Sequence, residues 1–197
     1  MGFQSWVAVV IIMVSSTGLL ISRDWRWRLS LLAVLHFGIF SMTIQYWPLG
    51  LAAIKLITGW MGCVILGMTR ITTGVRLPEE VSWPQGRAFR LLAASLVVAA
   101  TASIAPDLSS RLSIITLPVA WGGILSIGMG LIHLGMTSQH SRVIVALLTI
   151  LAGFELLYAA VEGSILVAAM LATVDIGLAL VGAYMLSISA STGGKQP

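Results

Sequence analysis

Long apolar runs separated by short polar breaks organise this chain from end to end. A bilayer core is crossed by about 20 mainly apolar residues in helical form. Seven runs meet that length: roughly 2–22, 28–47, 49–69, 89–106, 112–136, 143–161 and 165–187. The breaks carry charge or turn residues: Arg23-Asp24, Trp47-Pro48, Arg70 through Arg87, Pro106-Asp107, Ser138 through Arg142, and Glu162-Gly163. The pattern predicts an all-α integral membrane protein of about seven transmembrane helices. Met1 to Val14 has no basic leader and no small-residue cleavage site before a polar start, so it reads as a retained first helix.

The pattern also divides the chain. Residues 1–69 hold helices one to three. Residues 70–88, with Arg70, Arg76, Glu79, Glu80, Arg87, Pro78 and Pro84, read as a cytoplasmic loop. Residues 89–111 hold the fourth helix and an outer loop, 112–187 a three-helix unit, and 188–197 a flexible cytoplasmic tail.

Composition agrees with the pattern. Of 197 residues, 58% are hydrophobic and only 9% charged. A soluble domain carries about 25% charged residues. Too few charges remain here to cover a surface in water. The net charge of +4 would raise nucleic acid as a partner in a soluble protein. Here the charges sort by loop. With the N-terminus outside, the cytoplasmic loops and C-terminus hold Arg23, Arg26, Arg28, Arg70, Arg76, Arg87, Arg90, Arg142 and Lys195, against Arg111 alone outside. That is the positive-inside bias of a membrane protein with a cytoplasmic C-terminus, and one helix more or fewer would scramble it. Trp25, Trp27, Tyr46, Trp47 and Trp83 fall near helix edges, as an aromatic belt would. Gly59, Gly62, Gly67, Gly122, Gly123, Gly128, Gly130, Gly177 and Gly182 fit close helix packing, within the chain or onto partner subunits. The single cysteine, Cys63, excludes an internal disulfide and a cysteine metal cluster, and reads as a small buried residue.

Ionisable groups at membrane depth are costly and carry the functional question. Glu155 lies about 18 Å into its helix, too deep to snorkel. It is either protonated, or it faces a partner or a water chain; the alternatives are proton exchange and a neutral carboxyl bonded to a neighbouring helix. Asp175 is near the middle of the last helix and is open to the same two readings. If the last two helices pack antiparallel, the two carboxyls come to similar depth and share a proton. Lys55 either snorkels outward or partners a buried carboxylate, in this chain or a neighbour. His36 reads as a satisfied buried histidine or a proton relay, and is placed nearer the cytoplasmic end of its helix, as is His133. Glu162, seven residues after Glu155, lies at the outer end on a similar face, solvated or serving as an access step.

Spacing hints at duplication. Arg23 precedes His36 by thirteen residues, and Arg142 precedes Glu155 by thirteen; His36 precedes Lys55 by nineteen and Glu155 precedes Asp175 by twenty. This fits a parallel 3+1+3 repeat, two three-helix units with the fourth helix between them.

The last three helices carry Arg142 in a basic loop, then Gly153-Phe154-Glu155-Leu156-Leu157, then Ile176 to Leu180 reading Ile-Gly-Leu-Ala-Leu. Residues 117–187 thereby resemble the K subunit of complex I, the C subunit of Mrp-type cation/proton antiporters and the E-type small membrane subunit of group 4 hydrogenases. The additional N-terminal helices look more like the longer hydrogenase-type subunit. The family's second glutamate stands about four residues before the glycine, whereas Asp175 stands two before Gly177. Two residues turn a helix by about 200°, so the resemblance carries over Glu155 and leaves Asp175 facing elsewhere.

The resemblance implies a membrane-arm subunit among antiporter-like and redox-linked partners, with buried carboxylates in a proton or sodium path along the midplane. In the path expected here Glu155 leads, Asp175 is a second site, Lys55 and His36 modulate, and Glu162 is an entry or exit step. No flavin, quinone, iron–sulfur or metal motif is present, so no cofactor is expected and electron transfer belongs to other chains. The expected location is a bacterial cytoplasmic membrane. The competing expectations are a stand-alone small transporter and a non-conducting structural subunit. A retinal protein is disfavoured because the last helix has no lysine.

Overall fold

The computed structural model describes residues 2–22, 24–74, 86–137 and 139–193. They form seven helices: α1 (Gly2–Ile21), α2 (Trp25–Thr43), α3 (Leu49–Thr73), α4 (Arg87–Arg111), α5 (Leu117–Gly135), α6 (His140–Val161) and α7 (Ile165–Gly193). Among the described residues there is no strand. Six helices are long and apolar enough to cross a membrane. The exception is α2, whose 19 residues include Arg26, Arg28 and His36. It is nonetheless packed into the bundle, with Leu32, Leu35 and Met42 fully buried.

Several boundaries differ from the hydropathy reading, each for a local reason. α2 starts at Trp25, because Asp24 accepts the first helical bond through its carbonyl, from the Arg28 amide at 3.1 Å. It stops at Thr43, where the amides of Gln45, Tyr46 and Trp47 fold back onto the Met42 and Thr43 carbonyls ahead of Pro48. α3 runs on through Arg70 to Thr73 and is closed by Gly74 at φ 61°, a left-handed cap that glycine adopts without a Cβ clash. The cytoplasmic loop expected at 70–88 is therefore shorter, and its centre, 75–85, lies outside the described residues, as do Arg23, Ser138 and 194–197. α4 continues through Pro106 to Arg111. Pro106 is on an exposed face, and the last turn is held by the Arg111–Asp107 pair at 3.0 Å. α5 then begins at Leu117 with Pro118 in its first turn, where a missing N–H costs nothing. The tail expected from 188 onward is helical to Gly193.

Sequential neighbours pack as α1–α2, α2–α3, α5–α6 and α6–α7. Across the bundle α1 meets α5, α2 meets α6 and α3 meets α7, while α4 lies against α5 and α1. The α5–α6 interface is the most extensive. Its glycines explain why: a Cβ on Gly153 would come 2.8 Å from the Gly123 carbonyl oxygen, and one on Gly130 would come 3.0 Å from that of Ala146. Without side chains there, the two backbones approach closely. Gly177 departs from the packing expectation, with nothing within 4 Å of its Cβ position. Ile12, Leu125, Met129, Leu148 and Leu156 fill the centre, while Val14, Ile57, Leu96, Leu131, Leu166 and Tyr184 point outward. Apolar side chains thus cover the outside as well as the inside, the build of a multi-pass helical membrane protein.

Candidate functional site

α3 buries one face through Ala52, Lys55, Gly59, Gly62 and Leu66, and Lys55 lies on that face. α7 buries Ala168, Ala172, Asp175, Ala179 and Leu186, again at helical spacing, with Asp175 among alanines. α6 buries Leu148, Ala152, Glu155 and Ala159. In each helix a charged residue takes the place of an apolar one on the inward face. The small residues around it leave room for its side chain.

These faces converge on one ion cluster. The Lys55 ammonium donates to Asp175 Oδ2 at 3.0 Å and to Glu155 Oε1. Lys55 is 7% exposed, Glu155 4% and Asp175 1%. Lys55 therefore does not snorkel; it is the internal partner of both carboxylates. Glu155 also senses Asp175 directly. Asp175 does not face elsewhere, as its place two residues before Gly177 had suggested: it is on the buried face of α7 and is paired with Lys55.

His36 completes the cluster from α2. Its Nδ1 lies 2.9 Å from the Leu32 carbonyl, so Nδ1–H donates there and Nε2 is the acceptor. The ring lies against Gly59, where a Cβ would come 2.6 Å from Cγ and Nε2. Its electrostatic neighbours are Asp175 and Lys55. Two acceptors in this site, His36 Nε2 and Asp175 Oδ1, are buried with no hydrogen-bond partner among the described residues.

Helix counts fix the depth. Lys55 is six residues from the start of α3, Glu155 six from the end of α6, His36 seven from the end of α2 and Asp175 ten from the start of α7. At 1.5 Å per residue all four lie about 9–15 Å from the same end of the bundle. His36 is consequently nearer that end than the expected cytoplasmic one, because α2 begins and ends earlier than hydropathy indicated.

That end is closed by aromatic side chains. Trp47, expected in an interfacial belt, is 4% exposed and packs with Ala159 and Ala168. Its indole N–H donates to the Glu162 carbonyl at 3.1 Å, and Tyr46 Oη donates to Thr116 Oγ1 at 3.1 Å. The tight turn before Pro48 swings Trp47 inward. Trp27, by contrast, is exposed as a belt residue would be, and Trp83 lies outside the described residues. Glu162 itself is exposed, about 10 Å along the helix axis from Glu155. His133 is buried at the opposite end, among Arg28, Arg142 and Arg90, apart from the cluster.

One ammonium between two carboxylates has an odd charge. With all three ionised the cluster is −1, and one added proton makes it neutral. Burial of a net charge away from water is costly, and the third charge of this cluster has no partner of opposite sign within it. Among the described residues no group of three or more His, Cys, Asp and Glu side chains is arranged to hold a metal ion. Comparison with protein-family models, curated proteins and solved structures finds no match to this chain.

Proposed function

We propose that this chain moves protons, or sodium ions, across a membrane by protonation changes at Glu155, with Asp175 as the second acid, Lys55 as their shared counter-ion and His36 as a relay. The observation that carries the reading is the Lys55 ammonium set between Glu155 and Asp175, away from water, in a bundle faced with apolar side chains. When a proton arrives on one acid, Lys55 shifts its interaction to the other. Loss of the proton reverses that shift. Glu162, on the surface beyond Trp47, stands at the access end.

The positive-inside bias supports an orientation with the N-terminus and the site end outside and the arginine-rich end in the cytoplasm, and the membrane proposed is a bacterial cytoplasmic membrane. The neighbour relations support a 3+1+3 repeat. Exchanging α1, α2 and α3 with α5, α6 and α7 returns the same set of packed pairs, with α4 to one side. The cluster then lies where the two units meet, His36 and Lys55 from one, Glu155 and Asp175 from the other. Buried sites at a repeat interface are a common plan in membrane transport.

The resemblance of 117–187 to complex I, Mrp and hydrogenase subunits supports a place in a membrane arm beside antiporter-like and redox-linked subunits. A second reading, a self-contained transporter, is favoured by one observation: the counter-ion of both acids comes from this same chain. Liposomes holding the purified chain separate the two. Proton flux by the chain alone supports the transporter; flux only with co-purified companions supports the subunit. In either setting Glu155→Gln should abolish coupled transport with assembly intact. Full transport by Glu155→Gln would remove Glu155 from the path, and no effect of Glu155→Gln with Asp175→Asn would leave a structural subunit.

A further inference from the structure

The donors and acceptors of the buried ion cluster do not balance. The Lys55 ammonium has three N–H groups and gives two of them, to Glu155 Oε1 and Asp175 Oδ2. One N–H is left over. On the acceptor side, His36 Nε2 and Asp175 Oδ1 have no hydrogen-bond partner among the described residues. His36 is 4% exposed and Asp175 1%, so neither atom is open to the surface. Polar atoms at such depth are nearly always paired, and an exception points to a small partner between them.

The backbone brings the three groups to one level. Gly59 and Asp175 each stand ten residues from the start of their helices, α3 and α7, about 15 Å along the axis. The two helices pack along one another, and a Cβ on Gly62 would lie 3.5 Å from that of Ala179, one turn beyond Asp175. His36 reaches this seam from α2 because Gly59 has no side chain: a Cβ there would come 2.6 Å from Nε2. Its other nitrogen is committed to the Leu32 carbonyl, and Asp175 and Lys55 are its charged neighbours. The site therefore offers two acceptors and one donor. A metal cation would suit the acceptors but would be repelled by the ammonium. A water molecule matches all three, donating twice and accepting once, and about three hydrogen bonds are usual for a buried water.

We propose that one water molecule is bound between His36 Nε2, Asp175 Oδ1 and the Lys55 ammonium, with Gly59 as the positioning residue that admits the imidazole. Its role rests on reading the cluster as a proton path: the water is then the step from Asp175 to His36. When Asp175 holds the proton, its Oδ1–H passes to the water as one of the water's own protons passes to Nε2. A carboxylate, an imidazolium and the water remain. The test is magic-angle-spinning NMR of the whole chain in lipid vesicles at neutral pH, with isotope-labelled histidine and the His36 signal identified by its loss in His36→Gln. Magnetisation from water should reach Nε2 of His36. Gly59→Ala should abolish that transfer, whereas Gly177→Ala, two residues from Asp175 but facing open space, should leave it unchanged. The native chain decides the main point even where Gly59→Ala folds poorly: no transfer from water to Nε2 overturns the bound water. Transfer that persists in a folded Gly59→Ala chain overturns the role of Gly59. The readout needs no ion flux. Water contact in a chain that moves no protons keeps the site and removes the transport step, and flux without the contact removes the site alone.

Discussion

Lys55 and Asp175, 120 residues apart, are joined by a 3.0 Å ion pair with both side chains buried. The pair ties α3 to α7, which pack along one another, and the same ammonium reaches Glu155 on α6. One side chain thus fastens three helices at a buried level of the bundle. The link is strong only while all three groups are present, because each is buried on the assumption of the others.

Lys55→Met should therefore destabilise the protein by about 3–5 kcal/mol, the range for stranding a buried charge. Adding Glu155→Gln and Asp175→Asn to Lys55→Met should recover much of that loss, since no uncompensated acid remains. Unfolding in mixed micelles measures both. A Lys55→Met chain as stable as the native one would mean that the ammonium is not a structural partner of the acids.

His36 and Gly59 make a second test of the same region. A Cβ on Gly59 would fall inside the imidazole, which its bond to the Leu32 carbonyl holds in place. Gly59→Ala should cost about 1–3 kcal/mol by overpacking. His36→Ala in the same chain should relieve most of that strain, giving a double-mutant cycle with strong coupling. Independent, additive effects would place the ring elsewhere.

Much of this was legible in the sequence. All seven helices were legible as runs, and six of them are apolar enough to cross a membrane, because the bilayer sets their length and leaves hydropathy as a direct signal. The residues of the cluster also stood out, since charge within such runs is rare. Their mutual contact did not, because it depends on which faces of α3, α6 and α7 meet. A usable signal was present in the small residues Ala52, Gly59 and Gly62, spaced to put Lys55 on a packed face. The inward turn of Trp47 was hidden because an aromatic residue at a helix edge fits a lipid interface equally well. Pro106 looked like an end to α4, yet on an exposed face its lost hydrogen bond is tolerated.

The glycines differ sharply in what they bear. Gly153 faces backbone, with the Gly123 carbonyl oxygen 2.8 Å from its Cβ position, and backbone cannot rotate away. Gly177 has open space. Gly153→Ala should separate α5 from α6 and lower the melting temperature by several degrees, whereas Gly177→Ala should leave it unchanged or slightly raise it through the better helix propensity of alanine. Equal effects at the two positions would contradict the close α5–α6 approach.

Trp47 lies between the ion cluster and the surface at Glu162, so its two attributes can be removed separately. Trp47→Phe keeps an aromatic ring against Ala159 and Ala168 and loses the indole N–H bond to the Glu162 carbonyl. Its cost should be near that of one hydrogen bond, about 0.5–1.5 kcal/mol. Trp47→Ala also empties the space, which should cost about 3–5 kcal/mol if the gap stays dry. If water fills the gap instead, the loss of stability is smaller and the cluster gains an aqueous route. A cysteine placed at Thr58, one turn along α3 from Lys55, then reports the difference: in a Cys63→Ala background it should react with a water-soluble maleimide faster in Trp47→Ala than in Trp47→Phe. Equal labelling in the two variants, with Trp47→Ala no less stable than Trp47→Phe, would show that the indole does not seal this end.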